Sequence, residues 1–259
     1  VIPRCSVPRL PALVVAAAAF LLATQAFGAE GPAPNTLTDA ERAEGWRLLF
    51  DGRTTAGWRG FRRETFPATG WTVQDGCLRH LPKGGGGDIV TVEKYDDYEF
   101  AFEWWIEAGG NGGVKYFITE ERAGTATGHE YQTMGEASLD EVRRNRLHAT
   151  ASFYDVLPVS ADAAFPLRPP TSWNQSRIVV RGNSVEHWLN GTRVLAYELG
   201  SDAVKAGIAR SKFRSIPDFG TKFPHRILLQ DHGGDIRFRN LKLRPLTPSP
   251  AAAGTPPAK

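Results

Sequence analysis

The sequence predicts an all-β fold, a two-sheet β-sandwich of the jelly-roll type. Three observations predict it. Short stretches of alternating apolar and polar residues recur along most of the chain. Turn-forming pairs such as Asp75-Gly76, Gly182-Asn183 and Asn190-Gly191 punctuate them. No long apolar pattern of helical period runs between those turns, so helices are expected only as brief pieces. The 259 residues, 41% hydrophobic and 23% charged, suit one large β domain with an ordinary core. No internal repeat or second domain is evident.

The chain begins with Arg4 and Arg9 ahead of an apolar run over residues 10–23, followed by the small residues Ala26 and Gly28. This reads as a signal peptide over 1–28, cleaved after Gly28. The run is too short and Ala-rich to favour a membrane anchor. A secreted or periplasmic location is expected, with no membrane attachment after cleavage. Cys77 is then the one cysteine left, packed as a small apolar residue without a disulfide. The net charge is only +3 and no basic block is interleaved with aromatics, so nucleic acid is not an expected partner.

Residues 29–43 read as a linker ending in a short helix, capped by Thr38 ahead of Glu41. A strand from Gly45 ends in the turn at Asp51-Gly52, and Trp58 and Trp71 head further short strands. The glycine-dense Lys83-Gly84-Gly85-Gly86-Gly87-Asp88 lacks both the Gly-Lys-Ser/Thr ending and the helix of a phosphate loop. The strongest local signal lies at 98–118. Two alternating runs flank Gly109-Gly110-Asn111-Gly112-Gly113, which predicts a β-hairpin. Phe100, Phe102, Trp104 and Ile106 share one face, expected in the core. Glu99, Glu103, Trp105 and Glu107 share the other, which suits a sugar-sized ligand. By the same period Lys115 shares a face with Phe117, and Glu130 with Gln132, opposite Tyr131.

Residues 136–146 predict a brief helix or exposed loop, 148–154 a strand and 158–170 a Pro-rich loop. Strands follow over 173–181 and 184–197, the second broken by Asn190-Gly191. An irregular loop covers 212–222. Closing strands over 226–230 and 236–243 are joined by Asp231-His232-Gly233-Gly234-Asp235. The Pro/Ala tail over 247–259 cannot build a core and is expected to be disordered. His80, His129 and His225 read as surface or loop residues.

Together these stretches resemble the 3-keto-disaccharide hydrolase domain family over residues 44–246. The resemblance rests on Trp46-Arg47-Leu48-Leu49-Phe50-Asp51-Gly52, Gly57-Trp58, Trp71-Thr72-Val73-Gln74-Asp75-Gly76 and Asn111-Gly112-Gly113-Val114. It continues through Glu130-Tyr131-Gln132, residues 148–158, Trp173-Asn174, Val185-Glu186-His187-Trp188-Leu189-Asn190-Gly191, Ser211-Lys212-Phe213 and Gln230-Asp231-His232-Gly233. No single signpost is specific; their number and order are. Two stretches depart from the family's habit: Asn111-Gly112-Gly113 stands for Asn-Ser-Gly, and Ala151-Ser152-Phe153-Tyr154 for Gly-Ala-Leu-Tyr. The resemblance implies a concanavalin A-like jelly roll and cleavage of 3-keto-glycosides. It also implies a separate oxidoreductase that supplies the keto sugar.

A 3-keto sugar has an acidified hydrogen at C2. Removing it lets the C1 substituent leave, after which water can add; direct hydrolysis at C1 is the competing route. Elimination needs a base near C2 and a donor or cation at the C3 oxygen. Residue type and signpost position make Glu130, His148 and His187 the acid/base candidates. Lys115, Lys212, Gln132, Tyr154 and His232 are the substrate-orienting or carbonyl-polarising candidates. Each has a plainer reading: His187 as a hydrogen-bonded core histidine, His232 as a partner of Asp231 or Asp235, Glu130 and Gln132 as a solvated strand face, Lys115 and Lys212 as solvated cations. No cofactor is indicated. No histidine pair has metal-ligand spacing, which leaves a divalent metal open only through residues gathered by the fold. The Glu-x-Asp-x-x-Glu strand of jelly-roll glucanases is missing from Glu130-Tyr131-Gln132-Thr133-Met134, which argues against an ordinary two-carboxylate glycosidase. The rival from another class is a non-catalytic sugar-binding module on the same fold.

Overall fold

The computed structural model describes residues 33–246, apart from 122, 123, 125, 161, 163 and 164. The expected leader, the start of the linker and the tail lie outside the described residues. In chain order the elements are α1 (Asp39–Ala43), β1 (Arg47–Leu48), β2 (Trp58–Gly60), β3 (Trp71–Gln74), β4 (Cys77–His80), β5 (Ile89–Thr91) and β6 (Tyr98–Ile106). They continue as β7 (Asn111–Ile118), β8 (His129–Met134), α2 (Leu139–Arg144), β9 (Asn174–Arg181), β10 (Ser184–Leu189), β11 (Thr192–Glu198), α3 (Asp202–Arg210), β12 (Arg226–Leu229) and β13 (Ile236–Pro245). An eight-stranded sheet runs β11-β10-β9-β6-β13-β4-β3 with β1 on β13; a five-stranded sheet runs β2-β5-β12-β7-β8. The expected all-β, two-sheet sandwich is the observed fold.

The stretch that reads as a hairpin is not one. β6 pairs with β9 and β13 in the larger sheet, while β7 pairs with β12 and β8 in the smaller. The chain between them crosses from one sheet to the other. The two runs carry large apolar rows, and a sandwich needs one row on each wall. Phe100, Phe102 and Trp104 face inward from one side, Val114 and Tyr116 from the other, all at most 2% exposed. The crossing is locked to the end of β8: Gly109 N donates to Gly135 O and Gly135 N to Gly110 O, both at 2.9 Å. A Cβ on Gly135 would lie 2.0 Å from the Glu107 carbonyl oxygen, so only glycine lets the strands approach this closely. β12 and β13 are likewise in different sheets, so residues 231–235 form a second crossing beside the first. Asp235 N donates to Glu107 Oε1 there.

The outward face of β6 carries ion pairs and borders a cavity of about 350 Å³ lined by Ala101, Glu103, Gln175, Arg177, Trp188 and Lys242. Glu99 accepts from Arg177 and Arg244, and Glu103 from Arg239 and Gln175. Trp105 donates to Thr171 O at 2.7 Å and lies beneath the Arg237 guanidinium. Period two also fails in β7. Phe117 has φ +49°, and the register with β12 slips between Arg226 and Leu228. This bulge turns Phe117 inward against Tyr116, His129 and His225, so it does not share a face with Lys115.

Three smaller differences follow from local chemistry. Residues 148–154 form a turn-rich loop with positive φ at Ala151 and, just beyond, Asp155; Phe153 alone bridges to Tyr131 and Leu157. α3 was not legible as a helix because only Val204 and Gly207 of its nine residues are buried. The expected linker is fastened from Asn35 on, which exchanges two hydrogen bonds with Asn240 and donates to Gly76 O. The helix cap at Thr38 forms as expected, with Glu41 returning to the Thr38 backbone. Cys77 is buried and free, and burial pushes its thiol pKa up.

The interior holds a polar chain. His187 Nδ1 lies 2.8 Å from Ala151 O, so that nitrogen carries the proton and Nε2 accepts from Tyr116 OH at 2.6 Å. Tyr116 in turn accepts from Tyr197 OH at 2.7 Å, and Tyr197 from His129 Nδ1 at 2.9 Å. Every bond direction is thereby fixed from one end. Tyr116→Phe removes the hydroxyl between His187 and Tyr197 and is expected to cost about 1–3 kcal/mol. Urea unfolding of the variant against the parent measures it, and an unchanged midpoint would show that the chain contributes nothing.

Candidate functional site

The pairing of β7 with β8 sets Lys115 directly opposite Glu130, Gly113 opposite Gln132 and Asn111 opposite Met134. Directly opposed residues share a sheet face. Val114, Tyr116 and Tyr131 fill the core face, so Lys115, Glu130 and Gln132 emerge on the outer face of the smaller sheet. There they meet four loop segments. The cleft is lined by Asn111, Lys115, Glu130 and Gln132 from the strands, by residues 126–128, by Tyr154, by Lys212 and Phe213, and by Gln230 and His232, with a volume of about 130 Å³.

Glu130 is 6% exposed. Its carboxylate receives no hydrogen bond from the described residues. The nearest cation is Lys115 Nζ at 3.7 Å, which itself donates to Ala126 O at 3.2 Å. Burial raises the pKa of Glu130; Lys115, Lys212 and His232 pull it back, and Asp88 pushes it further up. A carboxylate in this setting is more basic than an ordinary one when ionised and available as an acid when protonated. Asp88 is also raised by burial and fixed by the amide of Asp231.

Two further features point to a polar ligand. Gln132 donates Nε2 to Asn111 Oδ1 at 2.8 Å, while its Oε1 is buried without a partner. Gln230 Oε1 is buried and unpartnered as well. Buried amide oxygens left open cost about 1–3 kcal/mol each, and donors on a ligand would recover it. Lys212 is held by its backbone N to Asp155 Oδ2, with Nζ 4.4 Å from the centre of the Tyr154 ring. The glycine opposite Gln132 is required by the carboxylate: a Cβ on Gly113 would sit 2.5 Å from Glu130 Oε1. The obstructing atoms belong to a flexible side chain, so Gly113→Ala is expected to fold and to displace the carboxylate. Activity should fall about 100-fold. Turnover and melting temperature measured side by side check this; full turnover would mean that the position of Glu130 is immaterial.

Of the eight residues expected at a site, the structure brings six into one cleft: Glu130, Lys115, Gln132, Tyr154, Lys212 and His232. The other two lie elsewhere. His187 is fully buried between the sheets, bonded at both ring nitrogens, with burial pushing its pKa down to about 4. It is a core histidine, because the period that aligns it with Val185 and Leu189 points inward. His148 stands behind the cleft, stacked on Tyr154 at 4.6 Å and bonded to Asp155 at 2.9 Å. His80, His129 and His225 are buried rather than superficial. For His129 the signal was available: if Glu130 and Gln132 face outward, His129 must face inward. Asn111 and Gln230 were missed as site residues although both sit in quoted signposts. Among the described residues no three His, Cys, Asp or Glu side chains are gathered to hold a metal ion.

Comparisons with known proteins bear on the family and the fold. A family model described as a 3-keto-alpha-glucoside-1,2-lyase-like domain matches residues 45–244. A Bacteroides thetaiotaomicron protein named 3-keto-disaccharide hydrolase is 28% identical, with 79% of each chain covered. The crystal structure of a Parabacteroides distasonis protein, provisionally called a glycosyl hydrolase, superposes with a TM-score of 0.72 at 30% identity. It covers 83% of this chain and 100% of that one. A second P. distasonis structure, at 20% identity and a TM-score of 0.57, shares the fold over 78% of this chain and 99% of its own.

Proposed function

The chain belongs to the 3-keto-alpha-glucoside-1,2-lyase-like domain family, and from that membership we propose that it cleaves the glycosidic bond of 3-keto-disaccharides and related 3-keto-glycosides. One observation carries the reading. Among the described residues lining the cleft, Glu130 is the single carboxylate, and it lies beside Lys115 and within the field of Lys212. Retaining and inverting glycosidases use a pair of opposed carboxylates. One raised carboxylate with two cations suits a different reaction. Ionised Glu130 takes the C2 proton, and Lys115 or Lys212 stabilises the negative charge that develops on the C3 oxygen. The C1–O bond then breaks, the departing oxygen takes up a proton, and water adds to the unsaturated ketone. The open amide oxygens of Gln132 and Gln230 accept from ring hydroxyls, and Tyr154 and His232 wall the opening.

Incubation with 3-keto-trehalose and with trehalose itself tests the activity. Cleavage of the keto sugar alone is expected. Cleavage of neither would remove the enzyme reading in favour of a binding module, and cleavage of trehalose would indicate an ordinary glycosidase. Running the reaction in D2O separates the routes, since elimination and hydration place deuterium at C2 and direct hydrolysis does not. The keto sugar is to be supplied by a separate oxidoreductase. The leader read over 1–28 supports a secreted or periplasmic setting, which fractionation of cells expressing the full chain tests directly.

A further inference from the structure

A second cavity, of about 250 Å³, lies beside the cleft and is lined by Gly109, Met134, Gly135, Glu136, Glu141, Asn145, His148 and Ala149. Its place relative to the first cavity follows from the strand register. Glu130, Gln132 and Met134 alternate onto one face of β8, so they form a row about 13 Å long. The first two line the cleft and the third lines the neighbouring cavity. Across the pair, Met134 is opposite Asn111, which lines the cleft. The two cavities also share a wall, because Tyr154 of the cleft stacks on His148 of the neighbour with ring centres 4.6 Å apart and planes 24° apart.

The wall is built to stay in place. Asn145 Nδ2 donates to His148 Nδ1 at 2.9 Å, so His148 carries its proton on Nε2 and donates it to Asp155 Oδ1 at 2.9 Å. The other carboxylate oxygen of Asp155 accepts from Lys212 N. One hydrogen-bonded series thus ties the second cavity to the cation-bearing loop of the first. Behind it, Glu136 accepts from both the backbone and the hydroxyl of Thr150 and fixes the chain that carries His148. The lining combines a flexible thioether and small apolar surfaces with amide, imidazole and carboxylate groups. That mixture matches a hydroxylated ring, which has apolar C–H faces and a polar rim.

We propose that this second cavity is the leaving-group subsite, taking the sugar ring that departs from C1 while the keto ring occupies the cleft at Glu130. The proposal rests on the 3-keto-glycoside reading. It deepens that reading by giving the departing ring its own place along β8, at Met134. His148 then serves as a positioning residue for Tyr154 and as part of the subsite wall.

Met134 is the one methionine in the sequence, so a methyl-labelled methionine reports on this cavity alone. In the Glu130→Gln variant, whose slowed turnover leaves the sugar whole over the measurement, 3-keto-trehalose is expected to move the Met134 methyl resonance. Methyl 3-keto-α-glucoside should leave it in place. A signal unmoved by the disaccharide, or moved equally by both sugars, would overturn the subsite, as would calorimetry that detects no sugar at all. In the parent background, Met134→Trp fills the cavity at the end of the β8 row away from Glu130. It should lower kcat/KM for the disaccharide about 10-fold relative to the methyl glycoside. Equal effects on both substrates would also overturn the proposal. If the parent cleaves neither sugar while the methyl resonance still reports the disaccharide, the reaction fails and the subsite stands.

Discussion

Glu130→Gln is expected to lower kcat/KM on a 3-keto-disaccharide by about 10²–10⁴-fold and to leave the protein folded. Glutamine has the same shape but accepts no proton at its amide nitrogen and carries no charge. The substitution loses only a loose pairing, since Lys115 Nζ is 3.7 Å from the carboxylate and already donates to Ala126 O. It also relieves the cost of holding a charge at 6% exposure. Stability should therefore hold or rise while turnover falls. Burial raises the folded-state pKa of Glu130 above the ordinary 4.5, so the acidic limb of kcat/KM should lie above that value in the parent. It should disappear from the residual activity of the variant. Kinetics across pH, with urea unfolding on the same preparations, provide the check. A folded Gln variant with parental turnover would exclude Glu130 from the chemistry.

Acidification from pH 7 towards pH 4 is expected to remove a large part of the folding stability before most surface carboxylates titrate. Burial pushes the pKa of His187 and of His225 down to about 4 from 6.5, and that of His129 well below its ordinary value. For a group whose folded pKa is depressed, the stabilisation is present above the unfolded pKa and is lost as pH falls through the folded one. The window is thus from about 6.5 to about 4 for His187 and His225, each worth on the order of 3 kcal/mol. Glu120 adds a later loss. Its Arg59 partner, with further donors, lowers it to about 2, so its contribution fades from 4.5 down to that value. Glu130, Glu136 and Asp88 act in the opposite sense. Burial raises all three, so protonating them favours the folded state and slows the decline. Urea titrations at pH 7.5, 6.5, 5.5 and 4.5 should give unfolding free energies that change little over the first interval and fall through the two intervals below pH 6.5. A flat profile below pH 6.5 would mean that the histidines are not held neutral in the core.

The reach of the sequence can be judged from particular strands. Period two placed Phe100, Phe102 and Trp104 inside and put Glu130 and Gln132 on one face opposite Tyr131; all of these positions hold. The turns at Gly182-Asn183 and Asn190-Gly191 join β9 to β10 and β10 to β11 as expected. Where the local pattern failed, a long-range term had prevailed. The glycine-rich segment between β6 and β7 has the composition of a hairpin turn, but composition does not say whether two apolar rows lie side by side or face to face. Phe117 left its face because a single residue with positive φ resets the alternation, and no residue type announces that position.

The site divides in the same way. Residue types and their alternation determined that this is a β-sandwich and that Glu130 and Gln132 leave their strand on one side. Those properties are local: a side chain's face depends on its own backbone and its neighbours. The pairing of β7 with β8, by contrast, put Lys115 beside them. Tertiary structure alone decided which histidines matter. His148, His187 and His232 look equivalent along the chain, yet one backs the cleft, one is sealed between the sheets and one lies at the opening. Burial and distance come from segments up to about a hundred residues apart packing together, and those terms set both the pKa of Glu130 and the fate of each imidazole.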